Sequence, residues 1–87
     1  MIYTVTTVNA SRYPYDISVE AFNSEEKAIN AVRKVINDEE LLDIDDDGSL
    51  HEYVNSCIAD MLESTYGDIA FDAAEFYIHY DTQCELH

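Results

Sequence analysis

The sequence predicts a small α+β domain: two layers in the order β-β-α-α-β, a three-stranded antiparallel sheet with two helices on one face. Three patterns predict it. Two stretches of strand character open the chain, two apolar stripes at helical spacing fill its middle, and an alternating stretch closes it. A length of 87 residues with 47% apolar side chains suits one domain, 1–87, with a modest core.

Ile2 to Val8 is rich in β-branched residues and reads as the first strand. Asn9 to Pro14 contains the only proline and reads as a loop. Asp16 to Phe22 alternates, with Ile17, Val19 and Ala21 opposite Asp16, Ser18 and Glu20, which predicts a strand with one wet side. The two form an antiparallel hairpin whose loop is too long to fix the register. Asn23-Ser24-Glu25-Glu26 opens a helix, with a cap at Asn23 or Ser24 and acids in its first turn. Ala28, Ile29, Val32, Val35 and Ile36 supply its apolar face, and it ends near Asn37 or a turn later.

The clearest helix is Leu50 to Leu62. Leu50, Tyr53, Val54, Cys57, Ile58, Met61 and Leu62 keep a helical rhythm. Ser49 with Glu52 has the spacing of a capping box, and Gly67 is available as a left-handed stop. Gly67 to Ala73 is ambiguous. Ala74 to Thr82 alternates, Phe76, Ile78 and Tyr80 against Tyr77, His79 and Asp81, and reads as the third strand, with a short helix from Asp68 as the competitor.

Charge is the dominant feature. The net charge is −15. Residues 1–34 balance Asp16, Glu20, Glu25 and Glu26 against Arg12, Lys27, Arg33 and Lys34, whereas residues 35–87 hold fifteen acids and no Lys or Arg. The apolar content and periodicity argue against disorder. Adaptation to salt would spread acid over the whole chain. What competes with a functional reading is a merely solvated surface.

The start of the chain lacks the basic and apolar regions of a signal peptide, and no apolar run approaches a membrane span. Cys57 and Cys84 make no disulfide framework; Cys57 reads as a buried thiol and the compartment as cytoplasmic. There is no glycine-rich phosphate loop and no recognisable nucleophile–base pattern. His79 and Asp81 share a strand face as a surface pair, and the expectation is a protein without catalytic activity or cofactor.

Asp43-Ile44-Asp45-Asp46-Asp47-Gly48-Ser49-Leu50 resembles the first eight positions of an EF-hand calcium loop. The resemblance implies side-chain ligands at Asp43, Asp45 and Asp47, a carbonyl ligand at Ser49, the sharp turn at Gly48 and a small apolar anchor at Leu50. It departs at the twelfth position, where the closing glutamate is Val54; Glu52 stands at the tenth, a placement similar to that of extracellular excalibur domains. A calcium-binding module over 43–54 is thus the alternative reading, beside an acidic interaction domain of unknown role.

The larger signal is the acid itself. Glu39, Glu40, Asp43, Asp45, Asp46 and Asp47 crowd the connection between the helices, and Glu52, Asp60 and Glu63 lie on or beside the polar side of the second helix. At roughly one charge per 1.7 Å of duplex, fifteen net charges match about 25 Å of B-DNA. A compact domain of this length is about 30 Å across. In size, acidity, α+β build and lack of catalytic motifs the chain resembles the small phage- or plasmid-encoded inhibitors of bacterial defence, the anti-CRISPR and anti-restriction DNA mimics. That class shares no motif, so no individual residue role follows from it. The resemblance implies an inhibitor in the host cell cytoplasm, a monomer or homodimer, whose partner is the basic groove of a defence nuclease complex, a CRISPR effector first, rather than nucleic acid or membrane.

Overall fold

The structure is a computed structural model and describes residues 1–11, 13–43 and 48–83. The elements are β1 (Ile2–Asn9), β2 (Asp16–Phe22), α1 (Glu25–Asp38), α2 (Ser49–Ser64), β3 (Gly67–Phe71), a 3₁₀ turn (Asp72–Ala74) and β4 (Phe76–Gln83). They form one four-stranded antiparallel sheet in the order β2-β1-β4-β3, with both helices on one face. The architecture is therefore β-β-α-α-β-β, which corrects the expected three strands. The added strand is the ambiguous stretch after α2. Five residues are too few for periodicity to declare themselves, and Asp72-Ala73-Ala74 does turn helically before Glu75, at φ 52°, reverses the chain into β4.

Register decides which side of each strand is dry. Val5 stands opposite Tyr80 on one side and Glu20 on the other, and Ile69 stands opposite Ile78. Directly opposed residues share a face. Val5, Ile69, Phe71, Phe76, Ile78 and Tyr80 therefore all point at the helices and are buried. They meet Ala28, Ile29, Val32 and Ile36 of α1 and Val54, Ile58 and Met61 of α2, with Leu41 at the end of α1. Each fully buried large apolar side chain contributes about 1.5–3 kcal/mol.

The same register reverses the expected sense of β2. Phe22 lies opposite Tyr3 and packs on the core, so Asp16, Ser18 and Glu20 share the helix side and Ile17, Val19 and Ala21 point away from it. β2 is an edge strand, and all its residues before Phe22 are exposed.

Ser24 caps α1, its hydroxyl accepting from the Lys27 N–H at 3.5 Å. The helix closes with Leu41 N–H donating to Ile36 O (3.1 Å) and Glu40 N–H to Asn37 O (3.1 Å), the two bonds of a Schellman motif. Glu40 takes its left-handed position, φ 52°.

α2 departs from its expected ends. Gly48, at φ 83°, is the N-cap and makes no side-chain cap bond; Ser49 is already helical, so the capping box with Glu52 does not form. The stop is Thr65 at φ 57°, whose N–H donates to Met61 O at 2.9 Å, not Gly67. Gly67 is needed for closeness instead: a Cβ there would lie 2.8 Å from Met61 Cγ, where α2 meets β3. Tyr53 and Leu62 sit on the exposed rims of the apolar stripe, and Cys57 is half-buried rather than buried. Tyr53 Oη accepts from Ala70 N–H at 3.0 Å and so covers part of the free edge of β3. The molecule measures 46 × 31 × 17 Å, longer and flatter than a sphere of its length.

Met61 is fully buried and Glu63 is exposed. Met61→Asp is expected to abolish the cooperative thermal transition by burying a charge. Glu63→Gln is expected to stay within about 0.5 kcal/mol of wild type by chemical denaturation. Similar melts for the two variants would refute this placement of α2.

Candidate functional site

The candidate acids divide by position. Glu39 and Glu40 sit in the Schellman turn of α1, with Asp43 just beyond; Glu52, Asp60 and Glu63 lie on the side of α2 away from its buried stripe. All six are exposed, and among the described residues none forms a side-chain hydrogen bond or ion pair. Asp45, Asp46 and Asp47 lie outside the described residues.

The structure brings Glu40 and Asp43 together at a cleft of about 290 Å³ between the end of α1 and the start of α2. Ile36, Leu42, Val54 and Ile58 wall it, and Arg33 and His51 also line it. Glu39 turns to a separate groove shared with Asp16 and Ser18, and Glu52, Asp60 and Glu63 line neither. Sequence reasoning missed Arg33 and His51. Arg33 is legible as a flank of the α1 stripe, sharing a helix face with Ile36, Asn37 and Glu40, but the α2 surface that faces it is not.

Glu40 occupies a backbone region that costs an L-residue about 1–2 kcal/mol and costs glycine almost nothing. Glu75 does the same after the 3₁₀ turn. Two carboxylates are thus carried at positions where the backbone favours glycine.

For the calcium-loop pattern, Asp45 and Asp47 lie outside the described residues, so only Asp43, Ser49 and Glu52 of its ligand set have a place in the structure. Ser49 and Glu52 belong to the first turn of α2, and Val54, at the loop's twelfth position, is 4% exposed in the core. Among the described residues, no three His, Cys, Asp or Glu side chains gather as metal ligands.

His79 takes a different partner from the one expected. Its Nδ1 meets Asp68 across β3 and β4 at 2.5 Å, its ring stands edge-on to Tyr66, and the Asp81 carboxylate accepts the Thr82 N–H at 2.8 Å. This cluster lies on the sheet face away from the helices.

Tyr80 is fully buried and its hydroxyl has no hydrogen-bond partner. Burial, the Glu25 carboxylate and Tyr3 together push its pKa up to about 12.

No family model, curated protein or solved structure matches the chain. No helix among the described residues is long and apolar enough to cross a membrane.

Two expectations follow from these geometries. Glu40→Gly is expected to raise unfolding free energy by about 1 kcal/mol, read by urea titration, because it relieves the left-handed backbone. Tyr80→Phe is expected to stabilise by about 1–3 kcal/mol by removing an unsatisfied buried hydroxyl. The pH dependence has a definite sign. Folded Tyr80 keeps its proton to about pH 12 whereas the unfolded side chain releases it near 10. Its contribution is complete below pH 10 and lost between about 10 and 12, and that loss should be absent from the Tyr80→Phe profile.

Proposed function

We propose that this chain is a non-enzymatic inhibitor that occupies the basic nucleic-acid groove of a bacterial defence nuclease complex, a CRISPR effector in the first instance, by imitating the charge of DNA. One observation carries the reading: over residues 35–87 fifteen acids stand without a single Lys or Arg. The six described candidate acids are exposed and unpaired, and Glu40 and Glu75 are kept at left-handed positions against backbone preference. A surface needed only for solubility mixes signs.

The shape refines what is imitated. A net charge of −15 over a 46 Å long axis is one charge per about 3.1 Å. A single strand of B-DNA carries about one per 3.4 Å, and the duplex about twice that density. The chain therefore matches one phosphate backbone rather than two. The natural counterpart is a groove whose Arg and Lys side chains track one strand. Such a target would place the protein in the bacterial cytoplasm.

The test is competition with duplex DNA for a purified CRISPR effector complex. Wild type is expected to displace DNA, and its apparent affinity to fall at least about tenfold between roughly 50 and 200 mM salt. Glu39→Gln, Glu40→Gln and Asp43→Asn combined should weaken competition about tenfold, whereas Asp16→Asn with Glu20→Gln should change it less than about twofold. Asp43→Glu should be nearly silent, since a mimic presents charge rather than a coordination geometry. No displacement by wild type, or full competition by the triple variant, would contradict the proposal.

A further inference from the structure

We propose that the cleft between the end of α1 and the start of α2 is a binding site for a free amino acid with an apolar side chain. The cleft holds about 290 Å³, at the low end of ligand pockets, which run from about 300 to 1,000 Å³ for drug-sized molecules. It suits a molecule smaller than those. Its walls are apolar and come from both helices: Ile36 of α1, Val54 and Ile58 of α2, and Leu42 from the connection between them. Ile36, Val54 and Ile58 belong to the core, so packed side chains back the walls and fix their shape without a ligand. Arg33, Glu40 and Asp43 line the same cleft and are exposed.

Charge selects the ligand. Arg33 and Glu40 are seven residues apart in sequence, roughly 10 Å along the helix axis. Side chains on a helix meet at spacings of three or four, so these two stay apart although both line one cleft. Among the described residues, Arg33, Glu40 and Asp43 form no side-chain hydrogen bond or ion pair. A guanidinium and two carboxylates thus share an apolar cleft without pairing. A purely anionic ligand is repelled by Glu40 and Asp43, and a purely cationic one by Arg33. A zwitterion satisfies both signs and brings no net charge into the field of a −15 chain. The end of α1 sets its direction, because the last carbonyls of a helix favour an ammonium, here beside Glu40. The ligand's carboxylate then goes to Arg33, whose paired N–H donors match a carboxylate. Its side chain lies against Ile36, Leu42, Val54 and Ile58.

Methyl NMR of the intact chain tests this, with L-leucine and L-phenylalanine as probes. Both are expected to shift the methyl signals of Ile36, Leu42, Val54 and Ile58 saturably at millimolar concentration. Isocaproate, which lacks the ammonium, and isoamylamine, which lacks the carboxylate, should bind at least about tenfold more weakly than L-leucine. Arg33→Gln should weaken L-leucine at least about tenfold without weakening isoamylamine. Glu40→Gln combined with Asp43→Asn should weaken L-leucine and isoamylamine without weakening isocaproate. Asn55→Phe, at an exposed position on the same cleft, should block the cleft and abolish binding with an unchanged circular dichroism spectrum. The readout needs no second protein, so it is decided apart from competition for a nuclease complex. No saturable shift with either amino acid up to about 20 mM would overturn the proposal. So would isocaproate or isoamylamine binding as tightly as L-leucine, a folded Arg33→Gln variant that binds L-leucine like wild type, or undiminished binding to Asn55→Phe.

Discussion

The pairing of β1 with β4 is the contact on which the other features depend. It joins the two ends of the described chain over eight residue pairs, from Ile2 with Gln83 to Asn9 with Phe76. Once Val5 stands beside Tyr80, strand pleating sends Phe76 and Ile78 toward the helices and Tyr77 and His79 away from them. β2 and β3 then add to the outer edges of this pair, and their inward positions are dictated by it. A shift of one residue would put Tyr77, His79 and Asp81 under α1 and α2, which nothing in the helix faces could accommodate.

Two surfaces of opposite character result. The helix side carries exposed, unpartnered carboxylates at the end of α1 and along α2. The opposite side carries Ile17, Val8, Tyr77 and Ala70 in one row and Val19, Thr6, His79 and Asp68 in the next. The proposed basic partner takes the first. The fold bears a cost for the acid in two ways: fifteen acids repel one another over residues 35–87 with no Lys or Arg among them, Arg33 of α1 lining the cleft that holds Glu40 and Asp43, and Glu40 and Glu75 hold left-handed backbone positions.

Much of this was legible in the sequence, and what was not has identifiable causes. Both helices were readable because their stripes run over three turns or more; residue type left the α1 cap open between Asn23 and Ser24, and the structure puts it at Ser24. β3 was not readable: the five residues Gly67–Phe71, just ahead of the 3₁₀ turn, carry too little pattern. The Ser49–Glu52 spacing suggested a capping box, but Gly48 adopts the cap position one residue earlier. The sense of β2 was misleading because alternation identifies two faces without saying which one is covered; Phe22, the one β2 side chain on the core, is the residue that decides it. For the candidate site, exposure of Glu39, Glu40, Asp43, Glu52, Asp60 and Glu63 followed from composition, but their division between a cleft, a groove and the back of α2 needed the tertiary arrangement.

Acid accumulates on this fold far beyond its four Lys and Arg, at a cost to stability. Thermal unfolding of the isolated chain at neutral pH, measured from low ionic strength to about 0.15 M sodium chloride at a concentration low enough to hold the oligomeric state constant, tests it most directly. Uncompensated repulsion predicts a melting temperature that climbs with salt. A melting temperature that stays level or falls over that range would mean that the carboxylates are already balanced within the fold, and would contradict the account.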